Sequence, residues 1–150
     1  GTGGNGGPVG DAAIRITVSR GSMDRHGLLH DGFEDVVATV AIQAWPYTAT
    51  TGEARAITSS IRRDPSSPLA GIKTTSRADY VYARLEAARA GAEEALFVTL
   101  DGNLSEASAA NLFLLRGDEL ATPLRSAAIL AGTTGTWLLA HGSHFEGSRV

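Results

Sequence analysis

Three short segments carry side chains that could act together. In Gly71-Ile72-Lys73-Thr74-Thr75, a lysine stands between an apolar residue and small hydroxyls. It is the only lysine among 13 basic residues. Just before a helix and beside Ile72, it is oddly sited for a solvated charge. A lysine amine without its proton is a nucleophile, and its best-known product is an imine with a carbonyl. In Asp101-Gly102-Asn103-Leu104-Ser105-Glu106-Ala107-Ser108-Ala109-Ala110-Asn111, a carboxylate is followed by four small residues. Small residues let backbone or a flat ligand come close, and the carboxylate could hold a protonated ring nitrogen. In Ala128-Ile129-Leu130-Ala131-Gly132-Thr133-Thr134-Gly135, two threonines open a helix. Free amides and hydroxyls at a helix start bind anions.

Each segment alone also has a plain reading. Lys73 could lay its stem on the surface, Glu106 could be a solvated turn residue, and the threonines could be ordinary caps. Taken together, they supply the three handles of pyridoxal 5′-phosphate. These are an amine for the aldehyde carbon, a carboxylate for the pyridinium nitrogen and a helix terminus for the phosphate.

These residues need elements to place them. Ala12 to Ser19 alternates apolar and polar residues, which predicts a strand. Residues 20–27 read as a loop. Val36 to Ile42 is β-branched and nearly all apolar, which predicts a buried strand ended by Pro46. Ala54 to Ser60 alternates again, and a loop with Pro65 and Pro68 delivers the chain to Lys73. From Ser76 or Arg77 the period changes. Tyr80, Ala83 (or Arg84), Ala87 and Ala90 recur at helical spacing, with Gly91 at the C-terminal cap position. Ala95 to Leu100 and Leu104 onward read as strands around an Asp101-Gly102 hairpin. Asn111 to Leu115 is another strand, and Arg116-Gly117-Asp118 turns it toward Glu119. A short helix over Arg125 to Leu130 and another from about Thr136 to Ala140 complete the pattern. The fold class is mixed α/β (α+β), with antiparallel hairpins in the second half.

Composition narrows the function. The 150 residues carry 13 basic and 16 acidic side chains and no cysteine. No disulfide, thiolate zinc site or cysteine nucleophile is available, and no metal site is read. The mild negative charge argues against a nucleic-acid or anionic-membrane surface. No apolar run approaches the roughly 20 residues of a membrane span. The expectation is a soluble, cytoplasmic protein. Residues 1–10, with six glycines, read as a flexible lead-in, and residues 11–150 as one cofactor-binding domain.

From Ile72 to Leu139 the sequence resembles the class IV (fold type IV) pyridoxal-phosphate aminotransferases, a group that includes branched-chain aminotransferases, D-amino acid aminotransferases and aminodeoxychorismate lyases. The three segments above carry the resemblance. So do Ala87-Ala88-Arg89-Ala90-Gly91-Ala92-Glu93-Glu94-Ala95-Leu96, Ala110-Asn111-Leu112-Phe113 and Leu120-Ala121-Thr122-Pro123. Residues 15–60 match more loosely, chiefly through Ile16 to Gly21.

The resemblance implies the larger C-terminal cofactor-binding domain of that fold, a pseudo-barrel of mostly antiparallel hairpins with flanking helices. It implies that Lys73 forms the internal aldimine and then moves a proton, and that Glu106 pairs with the pyridinium nitrogen. Leu130 would pack on the ring, and Thr133 and Thr134 would bind phosphate. Arg25 is a candidate for trapping a substrate carboxylate or for merely stabilising its turn, His26 a weaker one, and Asn111 a brace for its strand. The implied activity moves an amino group between an amino acid and a 2-oxo acid, in a homodimer. Two alternatives remain: an aminodeoxychorismate lyase, and a non-catalytic incomplete member.

Two positions depart from the family pattern. Gly135 stands where an arginine is usual, and Ala78 where branched-chain enzymes carry tyrosine. Relatives also have a smaller domain before residue 11 and continue past residue 150, so both ends read as cut.

Overall fold

The computed structural model describes residues 10–22, 37–49, 51–117 and 119–141. The chain divides into two compact units, Gly1–Gly52 and Glu53–Val150.

In the first unit, β1 (Ala12–Ser19) pairs antiparallel with β2 (Thr39–Pro46). Alternation sets the register: Ile14, Ile16 and Val18 face Ala44, Ile42 and Val40 across the ladder. The apolar side chains of both strands therefore share one face. The sequence predicts a buried strand over Val36 to Ile42; the strand starts at Thr39, and all of β2 is exposed. β-branched residues favour extended backbone whether or not a layer covers them, and a two-stranded ladder supplies no such layer.

The second unit is built on β3 (Ala56–Arg63), α1 (Ala78–Arg89), β4 (Glu94–Thr99) and β5 (Leu104–Ala107). The sheet order is β3-β4-β5. β3 and β4 are parallel, because α1 carries the chain back along the sheet before β4 begins. β5 returns antiparallel to β4 through a tight turn in which Gly102 adopts φ +82°, a value that disfavours any side chain. Gly91 stands just past the last turn of α1 with φ +68°, as the sequence predicts.

The core lies between α1 and the sheet. Ala83 and Ala87 of α1 and Ala95 and Phe97 of β4 are fully buried, with Ile57, Ile61 and Tyr80 packed against them. Alanines on both sides bring the helix close to the sheet, and Phe97 is the one large side chain buried there.

Further along, β6 (Leu114–Arg116) and β7 (Glu119–Ala121) form a short hairpin. The expected strand at Asn111 begins only at Leu114. Residues 111 and 112 instead bond to side-chain and backbone partners outside a ladder: Thr122 Oγ1 donates to the Leu112 carbonyl at 2.7 Å. The expected helix from Arg125 to Leu130 is a single 3₁₀ turn, Arg125–Ala127. It stops because Ala128 turns left-handed, φ +60°. The final helix, α2 (Thr133–His141), starts three residues before the expected Thr136, so both threonines lie in its first turn. Among the described residues, no helix is long and apolar enough to cross a membrane.

Candidate active site

A cavity of about 750 Å³ opens in the second unit, and five of the residues read from the sequence line it: Lys73, Glu106, Leu130, Thr133 and Thr134. They come from the loop before α1, from β5, from the segment after Ala128 and from the first turn of α2. The sixth candidate, Arg25, lies outside the described residues, as does His26.

Lys73 follows a turn in which Ala70 N–H donates to the Ser67 carbonyl and Ile72 N–H to the Leu69 carbonyl. The sequence suggests a desolvated amine; the side chain is exposed in this chain. Its loop touches the sheet through Arg63, whose guanidinium donates to the Ala70 carbonyl at 3.2 Å.

Glu106 is 5% exposed. A buried carboxylate needs donors, and three elements supply them. Tyr80 Oη on α1 donates to Oε1 at 2.5 Å. The Leu130 N–H donates to Oε2 at 2.9 Å. Arg63 of β3 stands 3.5 Å from Oε1. The left-handed turn at Ala128 directs the chain so that Leu130 brings its amide to Glu106 while also lining the cavity. The four small residues after Glu106, Ala107 to Ala110, line the cavity too, as their size suggested.

Burial pushes the Tyr80 hydroxyl up to about 12, helped by its hydrogen bond to Glu106 and the charge of Glu106, and opposed by Arg63 and Arg77. Tyr80 therefore stays a donor throughout the physiological range. Arg77 caps its ring, with the guanidinium carbon 3.5 Å from the ring centroid. Arg77 also donates to the Ser108 carbonyl at 3.3 Å, which ties the start of α1 to the small-residue wall.

At the other end of the cavity, the first-turn amides of α2 cannot find intrahelical acceptors. One is used: Gly135 N–H donates to Asn111 Oδ1 at 3.2 Å. The sequence predicts that Asn111 braces a strand, but its side chain braces this helix start. A Cβ on Gly132 would stand 2.5 Å from Asn111 Oδ1, and one on Gly135 3.2 Å from the same side chain. The close seat of Asn111 thus accounts for the glycine at 132 and favours a small residue at 135. The amides and hydroxyls of Thr133 and Thr134 stand at the positive end of the helix dipole, where an anion is favoured.

Arg63 and Arg77 belong to none of the three segments, and the helical period marks Tyr80 only as a core-facing residue. A signal for Arg63 existed. The alternation that sends Ile57, Ser59 and Ile61 of β3 inward continues to Arg63, so strand parity buries it. No pattern could have paired Tyr80 with Glu106, which lie 26 positions apart.

A β-α-β unit extended by a hairpin brings a lysine, a carboxylate and a helix terminus onto one cavity. The chain belongs to the amino-transferase class IV family, whose sequence profile matches residues 3–148. It is 32% identical over 125 residues to a Methanocaldococcus jannaschii protein provisionally named a branched-chain-amino-acid aminotransferase, covering 83% of this chain and 43% of that protein. Among solved structures, it is similar to a Legionella pneumophila protein provisionally named a 4-amino-4-deoxychorismate lyase. The TM-score is 0.83 at 27% identity, over 93% of this chain and 52% of that one. It is also similar to the branched-chain amino acid aminotransferase of a T.th. strain, determined with pyridoxamine 5′-phosphate. There the TM-score is 0.73 at 27% identity, over 93% of this chain and 48% of that one. The chain spans about half the length of these relatives.

Proposed function

We propose that this protein binds pyridoxal 5′-phosphate in the cavity and moves an amino group between an amino acid and a 2-oxo acid. One observation carries the reading: side chains from four separate segments, 73, 106, 130 and 133–134, meet on a single cavity. The donor set fits the group. Glu106 is an acceptor held by three donors, and α2 offers first-turn amides and hydroxyls for a phosphate. The relative solved with pyridoxamine 5′-phosphate supports the same assignment. When bound, the cofactor supplies an aldehyde for an amine and a ring that accepts electrons.

The chain's residues do the rest. Lys73 would hold the aldehyde carbon through its Nζ, and its amine would be the group that removes a proton from the substrate α-carbon and returns one. An exposed loop position lets it swing between these tasks. Glu106 accepts the ring N–H and keeps that nitrogen protonated. Leu130 packs on the ring, and Thr133 and Thr134 bind the phosphate oxygens. Arg25 is assigned the substrate carboxylate, which a guanidinium binds in a fork. The protein acts as a homodimer, by likeness to its family, and in the cytoplasm.

Adding pyridoxal 5′-phosphate should give a visible absorbance band that Lys73→Ala abolishes, and the variant should lose roughly 10²–10⁴-fold in turnover. Protein that binds no cofactor would sink the reading and leave a non-catalytic family member. The likeness to the Legionella structure favours a second reading, lysis of aminodeoxychorismate. Release of pyruvate and 4-aminobenzoate, in place of amino transfer to 2-oxoglutarate, would decide for it.

A further inference from the structure

Glu106 is held more firmly than burial alone requires, and both extra contacts fall on one oxygen. Tyr80 Oη, at 2.5 Å, and Arg63, at 3.5 Å, both face Oε1. Oε2 receives the Leu130 amide at 2.9 Å. A carboxylate has about four acceptor sites, so Oε2 has capacity for one more donor.

Arg63 is itself locked. It donates to Asp79 at 3.1 Å and to the carbonyls of Ala70 and Ala128 at 3.2 and 3.3 Å. Its guanidinium carbon lies 5.1 Å from the Tyr80 ring centroid. One side chain therefore links the loop that carries Lys73, the turn that aims Leu130, the start of α1 and Glu106. Tyr80 is fixed too, edge-to-face on Phe97 with centroids 5.1 Å apart.

We propose that Tyr80 and Arg63 are positioning residues that hold the Glu106 carboxylate through Oε1 and so aim Oε2 at the ring nitrogen of bound pyridoxal phosphate. The inference rests on the pyridoxal-phosphate reading above. The physical ground is orientation. Two groups fixed on Oε1 hold the plane of the carboxylate, so Oε2 keeps one direction into the cavity, and a hydrogen bond from a ring N–H is strong only when that direction is kept. Without Tyr80 Oη or Arg63, the carboxylate turns and that hydrogen bond is lost.

The test compares two ligands on the same protein: pyridoxal 5′-phosphate and its 1-deaza analogue, in which carbon replaces the ring nitrogen. Tyr80→Phe keeps the ring between Arg77 and Phe97 and removes only the hydroxyl; Arg63→Lys keeps the charge and loses the fork. Each variant should bind pyridoxal 5′-phosphate about tenfold more weakly, the loss of one hydrogen bond to a charged group. The deaza analogue should bind wild type and variants alike, within about twofold on the same ground, since it offers Glu106 no N–H. A ¹⁵N label in the cofactor gives a second readout. Its resonance should shift toward that of an unprotonated pyridine in Tyr80→Phe, whether or not Arg63→Lys folds. Equal weakening of both ligands, or no weakening of either, overturns the positioning role and leaves the cofactor reading intact. Wild-type protein that binds neither ligand overturns the cofactor reading itself, and this proposal with it.

Discussion

The two ends of the cavity are built on opposite principles. The Glu106 end rests on the packed interface of α1 with β3, β4 and β5. There Ala83, Ala87, Ala95 and Phe97 are fully buried, and the polar groups Ser59, Thr99, Ser105 and Glu106 are buried with partners. The Thr133–Thr134 end rests on α2, which has no buried residue and whose first turn is pinned by the Asn111 amide. Under the proposed reading, a carboxylate that faces one ring nitrogen gains from a rigid, multiply bonded site, whereas a phosphate brings its own charge and several acceptor oxygens, so a helix start with free amides is enough. The difference separates an end built for fixed geometry from an end built for charge.

The largest effect should come from attacking the packed end. Phe97→Ala removes the one large side chain from an alanine-lined core and should cost about 3–5 kcal/mol in denaturant unfolding. If the loss is under about 1 kcal/mol, the packed end is not what holds this unit together. Asn111→Ala should be milder, about 1 kcal/mol, as for loss of a helix-start hydrogen bond. Its effect should be local. Amide exchange in α2 should accelerate while that of β4 stays slow, and equal acceleration in both would erase the contrast between the two ends.

The smallest effect is in the acid limb. Burial, the largest single influence, pushes Glu94 up, but the Ser108 hydroxyl, the Ala95 amide and Arg84 together hold it below its ordinary 4.5. A folded-state value below the unfolded one adds stability that is present above about pH 4.5 and lost as pH falls through the folded value. Thermal melts should therefore decline below pH 4.5, and Ser108→Ala should flatten that decline slightly. An unchanged slope in Ser108→Ala would show that the Ser108–Glu94 contact does not matter to the packed end.

Much of this was legible in the residues. The alternation of β1, the alanine period of α1, Gly91 at its end and the Asp101-Gly102 hairpin are local signals, and local backbone preferences produced each element. The candidate site residues were legible because their types suit one cofactor and their order resembles one family. Other features were hidden. The burial of β2 could not be judged, since strand propensity does not report what lies above a strand. The left-handed turn at Ala128 was hidden too, because alanine favours helix and only its surroundings impose φ +60°. Asn111 reads as a strand residue, whereas its side chain holds the start of α2.

By itself, the sequence determined most of the elements, the family they resemble and the residue types available for chemistry: one lysine, a carboxylate beside small residues and a pair of threonines. Those depend on neighbours a few positions away and on side-chain identity. Tertiary structure alone decided that these segments meet on one cavity, that Glu106 is buried under Tyr80 and Arg63 while Lys73 stays exposed, and that one asparagine holds the helix start. Such outcomes depend on contacts between residues 24, 26 and 65 positions apart. At those separations the free energy comes from desolvation and packing in three dimensions, and a linear pattern carries no record of it.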